Sequence, residues 1–410
     1  MRLMEAALAA SRPTIAHVTP WYLPHIGGLE RHVETISKGL PKFSFRIITP
    51  RIPDTDQSET VSENVFVRRY GPVRFPPEPQ AKRSSAMRDW IDRFARFLNL
   101  RSELKGTTFD ILHVHRPPMI ELAYLAAKWG NPIALRLLAR RLNQLPARGR
   151  PRILTDHGLF VMPSTPSPLD IRWFMSWVLE DFDHVICVDR SGFERARSIQ
   201  TSNPSASSQA LIHHIPQPMD TEVFRLTPMP SSSNLIVGYS GRWERDGMFL
   251  LRELVDMELP RVRFVISGGA TNRDLDEYRD SFSRGSVELR PNLLESEQLA
   301  RFYADIHVLV DFYRGDGCGR SVLEAMACGR PVLRTRARDT HPVIDRQTGF
   351  LEDAGAEAFA TKLGQLVDQK GTLTEIGLRA RQIVEEEYGL PAVLGKLEKI
   401  YRSCLRNPPG

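Results

Sequence analysis

The sequence contains no run approaching the roughly 20 consecutive apolar residues that a bilayer-spanning helix needs. Met1 to Ser11 hold one arginine, one glutamate and a short apolar stretch, so neither a membrane span nor a signal peptide is expected. Cysteine is scarce. Cys187, Cys318, Cys328 and Cys404 form no C-x-x-C pair and have no histidines at zinc spacing, which argues against a disulfide framework or a structural metal and for a reducing cytoplasm. Repeats of solenoid length are missing. So is any aromatic-basic motif of the kind that reads nucleic acid, so no nucleic-acid partner is expected although the net charge is +6.

What is present is the mixture of an ordinary folded protein, with 41% hydrophobic and 25% charged residues. A chain of 410 residues is more than one core usually serves, so two domains are expected. Short β-branched runs alternate with helical patterns, which predicts α/β architecture with parallel sheets and crossover helices. The first series of strands falls at Thr14 to Val18, Phe45 to Thr49, Val65 to Arg69, Ile111 to His115, Arg152 to Thr155 and His184 to Val188. The second falls at Leu235 to Tyr239, Arg263 to Ser267, Val287 to Leu289, Ile306 to Val310 and Pro331 to Leu333. Between them, Ser202 to Ser233 is rich in Ser, Pro, Thr and Asn and reads as the domain boundary, with Ile215 to Met219 as a short strand entering it. Arg379 to Leu405 reads as two amphipathic helices broken near Gly389-Leu390-Pro391. Open parallel sheets bind ligands outside the carboxyl ends of their strands, so two facing halves imply a cleft.

Asp311 to Thr335, DFYRGDGCGRSVLEAMACGRPVLRT, is the most informative stretch. An acidic loop with Gly315, Gly317 and Gly319 runs into a helix starting about Arg320, a turn that lets backbone N–H groups and the positive helix end approach a diphosphate. Asp316 lies in the loop and Glu324 two helical turns on, so the two carboxylates suit different hydroxyls of one extended ligand, a sugar and a ribose. With the block Glu324-Ala325-Met326-Ala327-Cys328-Gly329-Arg330-Pro331-Val332, this stretch resembles the GT-B retaining glycosyltransferases of family 4 (glycosyl transferases group 1). The resemblance implies that Asp316 contacts the transferred sugar and Glu324 the ribose, as an acid-x7-Glu pair. Asp stands where the family usually has Glu. Ser240-Gly241-Arg242-Trp243-Glu244-Arg245-Asp246-Gly247 resembles the family's second phosphate site: Arg242 matches its arginine, Asp246 stands where a lysine is usual, and Arg245 is the nearest replacement cation.

In the first half, P-x-x-G-G-x-E-x-H from Pro24 to His32 resembles the family's first loop, which makes Gly27 and Gly28 ligand-facing. Thr155-Asp156-His157-Gly158 ends another strand, and the resemblance places His157 beside the transferred sugar. In Asp110 to His115 alternation puts His113 and His115 on the same side; they are assigned no chemistry. Asp181-Phe182-Asp183 looks like a metal-binding D-x-D but precedes a strand and is taken as incidental.

The resemblance implies a GT-B fold of two Rossmann-like domains facing across a cleft. Residues 1–218 would be the acceptor-side domain, 219–385 the nucleotide-sugar donor domain, and 386–410 a helix returning to the first domain. It implies retaining, metal-independent transfer from a nucleotide-diphosphate sugar as co-substrate, with no cofactor, to an envelope saccharide, lipid-linked or small-molecule acceptor. The competing reading is a catalytically silent sugar-nucleotide or membrane-binding protein of the same descent. The apolar stripe of the basic stretch Lys82 to Lys105 is expected to pack on its own domain, while the arginines there and in Arg136 to Arg152 add an expected peripheral contact with the inner face of an anionic membrane.

Overall fold

The computed structural model describes residues 12–25, 27–72, 86–147, 149–159, 171–202, 210–241, 247–268, 282, 287–293 and 295–407. The chain forms two compact units, one running to Pro216 and resuming at Leu394, the other Gln217–Val393.

In the first unit the strands are β1 (Thr14–Val18), β2 (Ser44–Pro50), β3 (Ser58–Ser62), β4 (Val65–Tyr70), β5 (Ile111–Val114), β6 (Arg152–Asp156), β7 (His184–Cys187) and β8 (Leu211–His214). Their order is β3-β4-β2-β1-β5-β6-β7-β8, with β3 alone antiparallel to its neighbour. The accompanying helices are α1 (Gly28–Gly39), α2 (Ala86–Gly106), α3 (Ile120–Lys128), α4 (Ile133–Asn143), α5 (Arg172–Asp181) and α6 (Arg190–Ser202). Central strands such as β5 and β7 are buried at every position, because helices that cross between parallel strands cover both faces of the sheet.

The second unit carries β9 (Leu235–Ser240), β10 (Val262–Gly268), β11 (Val287–Pro291), β12 (Val308–Asp311), β13 (Val332–Thr335) and β14 (Gly349–Glu352), all parallel, in the order β11-β10-β9-β12-β13-β14. Its helices are α7 (Gly247–Asp256), α8 (Ser296–Ala304), α9 (Arg320–Ala327), α10 (Ala356–Leu366) and α11 (Lys370–Ile383), followed by a π-helical turn, Val384–Tyr388. The last helix, α12 (Leu390–Arg406), enters the first unit at Leu394. There it buries Leu394, Leu397, Tyr401 and Cys404, a helical stripe whose Tyr401 ring meets Phe43 and Phe45.

Each sheet reverses its direction of winding once. In the first the chain winds outward from β1 through β2 and returns to β5 on the other side; in the second it winds from β9 through β10 and returns to β12. The carboxyl ends of β1 and β5, and of β9 and β12, are therefore the places where an open α/β sheet makes a crevice.

Three strands escape the sequence pattern. β3 and β8 are short edge strands with exposed or half-buried residues, and β14 has four residues. The strand expected at Ile215 to Met219 lies earlier, at β8; Met219 instead makes a single bridge to Gly389, its N–H donating to Tyr388 O at 2.8 Å.

Candidate active site

In the second unit the segment after β12 is held from below by Arg334 on β13. This guanidinium is fully buried, lies 3.3 Å from Asp311 Oδ2 and donates to Gly315 O at 2.9 Å. The next turn needs Gly317, whose φ of +78° is left-handed and whose N–H donates to Asp339 O at 3.1 Å. Asp316 faces inward. Its Oδ1 accepts from the Asp339 N–H at 2.9 Å and its Oδ2 pairs with Arg338 at 2.8 Å. Gly319 then opens α9 without a side-chain cap, which leaves that helix start to backbone donors.

One turn into α9, and not two as the sequence suggested, Glu324 is buried at the β9/β12 crossover. Its Oε2 accepts from the Tyr303 hydroxyl at 3.0 Å and its Oε1 pairs with Arg320 Nε at 3.0 Å. A further side-chain hydrogen bond joins Tyr303 to Ser240, at the end of β9, while burial and then the Glu324 charge push the phenol well above its usual range. Asp316 and Glu324 thus sit on the same loop and helix, each with a different set of partners. Arg242 and Arg245 lie outside the described residues.

In the first unit Gly27 caps α1 in an extended conformation. A Cβ there would strike Glu30 Oε2, so the small residue makes room for the buried Glu30 carboxylate, which bonds His25 Nδ1 at 3.0 Å. At Gly28 a Cβ would meet nothing within 4 Å, so its outer side is open. His157, half-buried after β6, does not stand alone. Its Nε2 is 3.3 Å from His115 Nδ1, and His115 Nε2 is 2.8 Å from His17 Nδ1. His113 lies beside His17, paired with it in register across β1 and β5, and His32 of α1 meets the His157 ring edge-on at 4.8 Å. Five histidines therefore gather at the β1/β5 crossover. Burial lowers His17 to about 3 and His157 to about 4, and burial with the neighbouring rings puts His113 and His115 well below their usual value, so all four are neutral imidazoles near pH 7.

Family models match both halves: "Glycosyltransferase Family 4" over residues 26–223 and "Glycosyl transferases group 1" over 234–369. The chain belongs to the family 4 glycosyltransferases. It is 24% identical over 405 residues to the phosphatidylinositol N-acetylglucosaminyltransferase gpi3 subunit of Schizosaccharomyces pombe, covering 95% of this chain and 81% of that one. It is 26% identical over 191 residues to the capsular polysaccharide glycosyltransferase CapM of Staphylococcus aureus, covering 44% of this chain and 49% of that one. Among solved structures it resembles sucrose-phosphate synthase from Thermosynechococcus elongatus, with a TM-score of 0.72, 18% identity and coverage of 96% and 100%. Anabaena HepE, solved with UDP and glucose, gives a TM-score of 0.64 at 14% identity, with coverage of 96% and 100%. The fold is GT-B.

Sequence reasoning passed over several residues that position the candidate site. Arg330, inside the block that carries the resemblance, is fully buried. It donates to the carbonyls of Tyr303, Thr227, Pro228 and Ala304 and to Thr227 Oγ1, at 2.6 to 3.1 Å, and burial lowers it to about 10. It fixes the end of α8, and with it Tyr303. Tyr303 and Arg334 gave no signal in the sequence because their partners are distant along the chain. Asp181 pairs with Arg152 at 2.8 Å and Asp183 accepts from the Arg152 N–H at 2.7 Å, two different structural tasks.

Proposed function

We propose that this glycosyltransferase moves a sugar, with retention at the anomeric carbon, from a nucleotide-diphosphate donor to an envelope saccharide, lipid-linked or small-molecule acceptor. The observation that carries the donor half is the buried Glu324, oriented by Arg320 and Tyr303 at the β9/β12 crossover, beside the uncapped start of α9. In this reading Glu324 accepts the ribose hydroxyls and the leading amides of α9 meet the diphosphate. Arg242 and Arg245 add positive charge where the leaving group develops its own. Asp316, steadied by Arg338 and the Asp339 amide, keeps acceptor capacity on Oδ1 for a hydroxyl of the transferred sugar. In the first unit Gly27 and Gly28 give close backbone approach, and His157 offers an uncharged hydrogen-bonding group to the sugar.

Relatives named for acting on phosphatidylinositol and on capsular polysaccharide support the lipid-linked and envelope acceptor classes. So does the surface of the first unit. No described helix is long and apolar enough to cross a membrane, yet α4 exposes Ile133 by 74% and Leu137 by 60%, next to Trp129 at 65%. A cavity of about 370 Å³ beside them is lined by Arg136, Arg140, Trp173, Trp177 and Glu180, the last paired with Arg140 at 3.1 Å. Apolar side chains rimmed by arginines suit a helix lying in an anionic lipid surface.

The test is nucleotide release from UDP- and GDP-sugars with acceptors of these classes, followed by the configuration of the product. Acceptor-dependent release and a product of the donor's own anomeric configuration are expected; an inverted product contradicts retention.

A further inference from the structure

The histidines at the β1/β5 crossover form a single line. Thr155 Oγ1 bonds His113 Nε2 at 2.7 Å, His113 Nδ1 bonds the Tyr401 hydroxyl at 2.7 Å, and the same hydroxyl bonds His17 Nε2 at 3.2 Å. His17 Nδ1 bonds His115 Nε2 at 2.8 Å, and His115 Nδ1 bonds His157 Nε2 at 3.3 Å. Both nitrogens of His17, His113 and His115 are taken by links of this line, so the cluster is a hydrogen-bonded wire, and an ion held there would have to break it.

A neutral imidazole carries one N–H and one acceptor nitrogen, so each ring hands the direction of its bond to the next. Burial keeps these rings neutral. Three arrangements satisfy every link. One of them, in which the Tyr401 oxygen accepts from both His113 and His17, leaves the buried Tyr401 O–H with no acceptor among the described residues and is set aside for that reason. In the first of the other two, Thr155 donates to His113, His113 to Tyr401, Tyr401 to His17, His17 to His115 and His115 to His157, which ends with the proton on His157 Nδ1. In the second, all five bonds reverse; His157 Nδ1 becomes an acceptor and the Thr155 hydroxyl must place its own proton elsewhere. Among the described residues Thr155 Oγ1 has no other hydrogen-bond partner, and it is buried. The second arrangement therefore strands a buried donor, and the first strands none.

We propose that Thr155 and Tyr401 are positioning residues that hold His157 as its Nδ1–H tautomer, so that it meets the sugar as a hydrogen-bond donor. The catalytic meaning of this rests on the reading that His157 faces the sugar; the tautomer itself does not. A side chain 244 positions along the chain from His157, on the C-terminal helix that completes the first unit, thereby sets which way the site's histidine hydrogen-bonds.

The test uses the full chain with ring-15N histidine, the His157 signals being identified by their loss in His157→Gln. Long-range 1H–15N correlation is expected to show Nδ1 protonated and Nε2 unprotonated. Tyr401→Phe and Thr155→Val should move His157 toward the Nε2–H form, while Thr155→Ser, which keeps the hydroxyl, retains the wild-type pattern. In turnover, Tyr401→Phe should lose about tenfold in kcat with donor KM nearly unchanged. A wild-type His157 protonated at Nε2, or a tautomer indifferent to both variants, overturns the proposal. Tautomer shifts as expected with unchanged kcat would leave the wire standing and overturn instead the placement of His157 against the sugar.

Discussion

Arg330 shows how much of the donor half rests on one side chain. Its guanidinium gives all its bonds to carbonyls and a hydroxyl of the segments at 227–228 and 303–304, with no carboxylate among these partners. Arg330→Met fills similar volume but leaves those acceptors unpaired in the core. We expect a loss of about 3 kcal/mol, because unsatisfied buried polar groups cost far more than a typical hydrogen bond gains. Urea unfolding followed by circular dichroism checks it; a loss below about 1 kcal/mol would mean the acceptors find water. Asp316 and Glu324 could be picked out as candidates because their eight-residue spacing and the glycines around them are local features. Arg330, Tyr303 and the histidine wire were not, because each acts through partners that only the folded chain assembles, such as His113 with Tyr401, 288 positions apart.

At the scale of elements, the packing of α9 against α11 depends on two glycines in backbone contact. Gly329 ends α9 at a left-handed φ of +76°, and a Cβ on Gly377 of α11 would strike the Gly329 carbonyl. Gly377→Ala must therefore push α11 away from the helix that carries Glu324, at about 2 kcal/mol. A melting temperature equal to wild type would contradict this. The exposed face of α4 makes a separate prediction. Ile133→Asp with Arg141→Glu should weaken sedimentation with anionic phospholipid vesicles at least tenfold, since one basic group near such a surface is worth about 1 kcal/mol, and leave binding to neutral vesicles weak in both proteins. Most strands of both sheets could be read from their apolar runs. The edge strands β3 and β8 could not, since an edge keeps half its surface in water and loses the pattern that burial imposes.

Across the whole molecule, depressed histidines are concentrated in the first unit: His17, His113, His115, His157, His184 and His213, against His307 in the second. Above pH 6.5 these groups are neutral in both folded and unfolded chains. As pH falls through 6.5 the unfolded chain takes up protons that the folded one refuses, so stability drops, by about 1.4 kcal/mol per pH unit for His157 until its folded value near 4 and for His17 until its folded value near 3, with the other lowered histidines adding in the same direction. Five of the six tryptophans lie in the first unit, so urea unfolding by fluorescence reports it. Its midpoint should be flat from pH 8 to 7 and fall steeply from 6.5 to 5; a flat profile to pH 5 would mean the rings are protonated in place. The most direct test of the account as a whole is donor binding at the Glu324 site, measured by calorimetry with UDP- and GDP-sugars on wild type and on Glu324→Gln, with folding checked by melting. One nucleotide sugar bound by wild type and weakened at least tenfold in a folded Glu324→Gln protein is the predicted result. Equal affinity in both proteins, or no binding of any nucleotide sugar to a folded wild type, would contradict it.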